Sequence, residues 1–301
     1  MLSTELHIYI KPHAIELWRA ELSVASGFKQ VLHHEKTVSL QSDLVEAKPS
    51  NMQLNALSPQ RWQAIVSSLQ ALLSDKNLPA KKVKVTIANY FVRYVVVPWN
   101  SQIFTQAEQA AYLNHCFTIA FGADIKSWNM QQDTPEFGKS KLASAIPSEL
   151  ISALNDVFGQ EKMQLLTVQP YLMQVANHAS TVLKKQQLLP NFWLVAVEQH
   201  RVCVCLIEQG EWLIVRSLVP ENDIAAQIET VIQRESLMAN LPIAAHPILL
   251  DIADEMREVD IENHRIVRLA VNNKSLFRSQ TSNQQRHLNL KLKPIMGSIF
   301  K

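Results

Sequence analysis

One order of elements is legible twice along the chain, and few folds repeat it. Near the start, Leu6–Ile10 alternates as a strand and Lys11-Pro12-His13 turns. Ala14–Leu22 resumes with Ile15 and Leu17 on one face, and Gln30–Leu40 reads as a third strand. The polar stretch Gln41–Ala56 reads as a loop. Ser58-Pro59 then supplies an N-cap and a proline at the first helical position, ahead of the apolar stripe Trp62, Ile65, Val66, Leu69, Leu72 and Leu73. Lys82–Ile87 is a strand. Roughly 185 residues on, the pattern returns: Phe192–Val197, a turn at Glu198-Gln199-His200, Arg201–Ile207, a turn at Gln209-Gly210, and Trp212–Leu218. A helix from Asn222 to Met238 carries Ile224, Ile228, Val231 and Ile232, and strands follow at Pro247–Asp251 and His264–Leu269.

Between the two copies lies a smaller set. Phe91–Val97 is a strand ending at Pro98. Thr105-x-x-Glu108 is a capping box opening a helix to Phe121. Ser127–Gln131 and Lys141–Ala145 read as strands, Ser148–Phe158 as a helix stopped by Gly159, Gln164–Val168 as a strand and Pro170–Leu183 as a helix. The expectation is an α/β protein of duplicated β-β-β-α-β lobes with a smaller inserted α/β subdomain. The actin-like, ribonuclease-H-like arrangement repeats this order; two unrelated α/β domains would also accommodate it. The expected units are a first lobe over 1–125, an inserted subdomain and connecting helix over 126–190, and a second lobe with a C-terminal tail over 191–301.

Glycine then limits the chemistry. The chain has six, at Gly27, Gly122, Gly138, Gly159, Gly210 and Gly297, and no two lie within ten residues of each other. Loops that cradle phosphate need clustered glycines for close backbone approach. In an actin-like ATPase the first hairpin of each lobe grips phosphate, and an acid in its first strand orients Mg²⁺ and water. Here Tyr9 stands where the first acid would be, and Pro12 in the turn has no N–H to donate. Ala196 replaces the second acid, and Glu198 would repel phosphate. The strand Ile248–Ile252 lacks a following glycine pair for an adenosine. ATP hydrolysis is therefore not expected, and a ribonuclease-H-type nuclease fails on the same missing carboxylate. No catalytic, cofactor-binding or metal-binding residue is assigned.

Twenty-nine basic and 27 acidic residues leave a net charge of +2, too little to draw nucleic acid or an anionic membrane. Cys116, Cys203 and Cys205 are too few for a disulfide scaffold; Cys203 and Cys205 share a strand face and fit a reducing compartment. No stretch reaches the ~18 apolar residues of a membrane helix, and Glu5, His7 and Lys11 interrupt any leader, so a cytoplasmic chain is expected.

Other candidates yield to plainer readings. His33-His34 would point to opposite faces of a strand, and His115-Cys116 lacks companions at ligand spacing. Asp251, Asp254 and Glu255 read as a solvated strand end, and Lys81-Lys82-x-Lys84 as an exposed strand entry. Of the six tryptophans, Trp62, Trp193 and Trp212 fit the core; Trp99, just past a strand-ending proline, is the one of the six best placed for partial exposure, with a core position the preferred reading for it too.

Residues 8–17 and 195–220, with Arg216 closing the third strand, resemble the cytoplasmic actin-like PilM family of type IV pilus assembly. The stretch Val85-Thr86-Ile87-Ala88-Asn89-Tyr90-Phe91-Val92-Arg93-Tyr94-Val95-Val96-Val97-Pro98-Trp99 is similar to a strand pair in the cytoplasmic domain of the type II secretion protein GspL. Glu108, Tyr112, His115, Gly122 and Trp128 follow about where that family places its helix and next strand, and Asn289-Leu290 resembles the segment before its membrane helix. The nucleotide motifs of the one and the membrane helix and periplasmic domain of the other are missing. The resemblance implies a non-enzymatic cytoplasmic scaffold without cofactor. It would sit peripherally at the inner membrane through a single-span assembly protein and meet a secretion or pilus motor ATPase. The competing class is an actin-like ATPase or sugar-kinase-like enzyme with atypical phosphate contacts. Strand addition at an open edge is the common docking mode for such a scaffold. The alternating run His287–Pro294 therefore places Leu290 and Leu292 among the expected partner-binding residues, with Phe91, Arg93 and Trp99; completion of the chain's own sheet is the other reading of that run.

Overall fold

The computed structural model describes residues 5–23, 29–40, 59–74, 81–133, 137–186, 190–242, 246–253, 259, 261 and 264–269. Strands β1 (Glu5–Ile10), β2 (Ala14–Ser23) and β3 (Lys29–Ser39) form an antiparallel meander. Helix α1 (Pro59–Leu73) crosses over to β4 (Lys82–Ile87), which pairs parallel to β1. In the second half, β9 (Phe192–Glu198), β10 (Arg201–Glu208) and β11 (Glu211–Leu218) form a second meander. Helix α5 (Ile224–Met238) crosses to β12 (Ile248–Ile252), parallel to β9, and β13 (Ile266–Arg268) adds to β12. With β8 (Gln164–Pro170) beside β4, the two five-stranded sheets have the same order, β3-β2-β1-β4-β8 and β11-β10-β9-β12-β13.

The hairpin registers make the repeat residue-specific. Ile10 faces Ile15 across the first turn, and Val197 faces Val202 across the second. Lys11-Pro12-His13-Ala14 and Glu198-Gln199-His200-Arg201 are therefore equivalent turns, His13 matches His200, and Tyr9 matches Ala196.

A third sheet, in the order β5-β7-β6, is formed by β5 (Arg93–Val97), β6 (Trp128–Gln132) and β7 (Lys141–Pro147). Helix α2 (Gln106–Phe121) packs on it: Leu113 and Phe117 bury against Val95, Val97, Ala143 and Ala145. The expected capping box is present, with Glu108 N–H donating to Thr105 Oγ1 at 3.2 Å and Thr105 N–H to Glu108 Oε2 at 2.9 Å. Strand pairing draws the units differently from the expected boundary at 125/126. Strand β5 belongs to the small sheet, whereas α3 (Ser148–Gln160) and β8 return the chain to the first lobe's sheet. Periodicity marks a strand but carries no information on its partner. Gly159 is not the helix stop either. It lies inside α3, and the chain turns at Lys162, with φ of 54°.

Period-two alternation explains how the second sheet serves two cores. Trp193, Val195, Val197, Val202, Val204 and Leu206 face α5, meeting Ile224, Ile228 and Ile232. Leu194, Ala196, Cys203, Cys205 and Ile207 face inward and join Ile8, Tyr9, Tyr171 and Leu172 in one core continuous with the first lobe. Each such aliphatic side chain contributes about 1.5–3 kcal/mol on burial, so apolar packing joins the two lobes. Helix α4 (Tyr171–Gln186) lies at that interface.

Candidate functional site

The two equivalent turns meet between the lobes. Tyr9, near the end of β1, donates from its hydroxyl to Glu198 Oε1 at 2.6 Å. The other carboxylate oxygen of Glu198 accepts from the Asn89 N–H at 2.9 Å. Asn89 sits in the short 3₁₀ turn after β4 and is buried. Its side-chain oxygen accepts from the Tyr94 hydroxyl at 2.7 Å and from the Leu172 N–H at 3.0 Å, which ties that turn to α4. Tyr171 stacks on Tyr9 with centroids 5.2 Å apart and donates to Asp251 Oδ2 on β12 at 2.6 Å. The second lobe thus offers two carboxylates, and the first lobe supplies their donors.

Burial, with the Glu198 charge next, pushes the Tyr9 hydroxyl well above its usual range, so it remains a donor. Burial raises the Asp251 carboxyl to about 7 against the lowering effect of the Tyr171 hydrogen bond, and the charge of Glu198 adds to the rise. Lys11, the counterpart of Glu198 in the other turn, pairs with Glu16 at 2.7 Å and lies over the Tyr9 ring. His13 and His200 meet edge-on at 5.5 Å, and the Arg201 guanidinium lies over Tyr90 at 5.7 Å. The hollow left among these groups has a volume of about 10 Å³, the room of one water molecule. Side chains therefore fill most of the space between the hairpin tips. Among the described residues, no three His, Cys, Asp or Glu side chains are grouped as a metal site.

Two readings of the sequence change here. Asp251 is fully buried at the lobe interface rather than solvated at a strand end, because β12 is covered on both sides by β9 and β13 and by α4. Glu198 is an acceptor rather than merely a group hostile to phosphate. Its partners, Tyr9 and Asn89, lie 189 and 109 residues away, a separation that local pattern does not reveal.

Of the expected partner-binding residues, Phe91, Arg93 and Trp99 are described, and two of the three are buried. Phe91 is 1% exposed, and its ring is packed against Tyr90. Arg93 is 5% exposed and lies over the Trp128 ring; burial and then the proximity of Arg201 lower its pKa to about 9. Both are withdrawn from solvent because the 3₁₀ turn after β4 folds residues 89–91 into the core instead of extending β5. Trp99 is half-buried at the mouth of a 240 Å³ groove in the small subdomain. Leu290 and Leu292 lie outside the described residues. So do the side chains of His33 and His34, along with Asp254 and Glu255.

Two sheets of identical order, closed on each other through equivalent hairpins, define an actin-like ATPase fold. No protein-family model matches the sequence, and no curated protein matches it. The chain is similar in structure to a Bacteroides thetaiotaomicron protein with an actin-like ATPase fold, with a TM-score of 0.54 and 10% identity over 85% of this chain and 84% of that one. It is equally similar to the cytoplasmic domain of EpsL, an inner membrane component of the type II secretion system of Vibrio cholerae. There the TM-score is 0.53 and the identity 10%, over 99% of this chain and 100% of that one. A PilM–PilN type IV pilus biogenesis complex aligns with a TM-score of 0.46 and 12% identity over 79% of this chain and 66% of the other. The first two likenesses show the fold expected from the repeated element order.

Proposed function

We propose that this protein is a non-enzymatic scaffold on the cytoplasmic side of a type II secretion or type IV pilus assembly platform. It holds a single-span inner-membrane partner and relays to a motor ATPase. The observation that carries the reading is the Tyr9–Glu198 hydrogen bond at 2.6 Å. It fills the position between the hairpin tips with the protein's own carboxylate, and the hollow beside it admits one water rather than a phosphate chain. A fold kept intact while its ligand position is filled from within serves as a surface. Support for the machine comes from the EpsL cytoplasmic domain, whose whole length aligns with nearly all of this chain. Among the described residues, no helix is long and apolar enough to cross a membrane, so membrane attachment through a partner fits them.

Affinity purification of the tagged chain from detergent-solubilised cells, with mass spectrometry of what co-elutes, tests the reading. A single-span inner-membrane assembly protein is expected in near-stoichiometric amount. Recovery of the chain alone, or steady hydrolysis of MgATP by the pure protein, would overturn it.

A further inference from the structure

The small subdomain carries a second feature that the lobe interface does not explain. Between the end of β5, the start of α2 and the β6–β7 connection lies an open groove of about 240 Å³. Trp99 and Phe137, which both line it, pack edge-on against each other with centroids 4.9 Å apart, and Val97, Ile103 and Tyr112 add to the apolar lining. Phe137 is 90% exposed. An aromatic side chain this open at the edge of an apolar groove marks an interaction site more often than chance exposure.

The volume limits the ligand class. Cofactor and drug-sized sites run from about 300 to 1,000 Å³, so this groove fits one or two side chains of a peptide. It is also preformed. Pro98 fixes the backbone as β5 ends, and the Asn100 side chain accepts from the Gln102 N–H at 2.9 Å, an Asx turn that sets the path from Trp99 to Ile103. A groove already shaped loses less entropy on binding. Gln109 and Gln132 add amide groups suited to a peptide backbone.

Charge chooses the occupant. Among the described residues that line the groove, Lys141 is the charged one. Burial lowers its pKa, and Asp133 only partly opposes that shift. An arriving carboxylate would restore what the ammonium has lost in water.

We propose that this groove is a peptide-binding site that takes an aromatic or large aliphatic side chain of a partner protein, with an Asp or Glu within two positions of it meeting Lys141. The site goes beyond the scaffold reading and stands independently of which machine the chain serves. The test is selection of a random heptapeptide phage library on the wild-type protein, with counter-selection on Trp99→Ala. A synthetic peptide of the resulting consensus is then titrated by tryptophan fluorescence. The expected result is an aromatic–acidic consensus whose affinity falls at least tenfold with Lys141→Glu, falls with added salt, and is lost with Phe137→Ala. The Phe137 side chain is too exposed for its truncation to disturb the fold, and circular dichroism checks Trp99→Ala. No enrichment over Trp99→Ala, a basic consensus, an affinity unchanged by Lys141→Glu, or binding only to anionic phosphatidylglycerol vesicles would overturn the proposal.

Discussion

Replacing Asp251 by Asn should make the protein more stable at pH 8 and leave it unchanged at pH 3.5. The side chain is fully buried, and Tyr171 donates to one of its oxygens at 2.6 Å. An Asn oxygen can accept the same bond without a charge. Burial holds the folded carboxyl at about 7, against 3.8 for the free group. A folded-state pKa raised above the unfolded value means that the folded protein keeps its proton longer. The contribution is neutral below pH 3.8 and is lost progressively as pH rises to 7, with no further change above that. A rise of about three pH units at about 1.4 kcal/mol each makes the ionised form cost as much as about 4 kcal/mol. The Asn variant escapes that cost. Urea denaturation at pH 3.5, 5, 6 and 8 should show a stability difference growing by about 1.4 kcal/mol per pH unit between about pH 3.8 and 7 and level on either side. Buried His7, whose pKa burial lowers from 6.5 to about 3, works in the opposite direction, since its contribution is lost as pH falls through that window. The wild-type profile is therefore flattened, and only the difference between the two proteins isolates Asp251. A constant difference, or a variant less stable at pH 8, would refute the burial argument.

The Tyr9–Glu198 bond should appear in a double-mutant cycle of Tyr9→Phe and Glu198→Ala as a coupling of about 1.5–3 kcal/mol, the worth of a charge-assisted hydrogen bond. Additive losses in thermal unfolding would place the contact outside the folded protein in solution. Thr105→Ala removes one half of the capping box on α2 and should cost about 0.5–2 kcal/mol; hydrogen exchange should show the loss confined to the small subdomain. Asp in place of both Leu290 and Leu292 should abolish co-purification with membrane proteins while circular dichroism stays native. Unchanged co-purification would remove that tail from the partner surface, and loss of fold would mean that it completes the chain's own sheet.

Much of the architecture was legible because each lobe declares itself locally. Tyr9-Ile10-Lys11-Pro12-His13 and Ala196-Val197-Glu198-Gln199-His200 lie in strand–turn–strand runs whose alternation is visible without partners. Thr105 and Glu108 announced α2 for the same reason, since a cap is a contact across three residues. What local pattern does not carry is pairing over distance. A strand over Phe91–Val97, two residues longer than the Arg93–Val97 that forms, is legible, but its place beside Lys141–Pro147 is not. Gly159 looked like a helix stop because glycine usually is one, whereas the packing of Val157 and Phe158 carries α3 past it. The missing phosphate loops were readable from the glycine count. That Glu198 fills the vacated position became visible only when residues 189 apart met. Trp99 leaves the strand at the proline before it, and the 3₁₀ turn that buries Phe91 leaves no periodic trace in the sequence.

The central claim is that the position between the lobes is occupied by the protein itself. Isothermal titration of the wild-type chain with MgATP tests it most directly. No binding heat is expected at nucleotide concentrations up to the millimolar range. A dissociation constant near or below ~1 μM, about −8 kcal/mol of binding, would contradict the account, because that affinity requires a phosphate site where Tyr9 and Glu198 now meet.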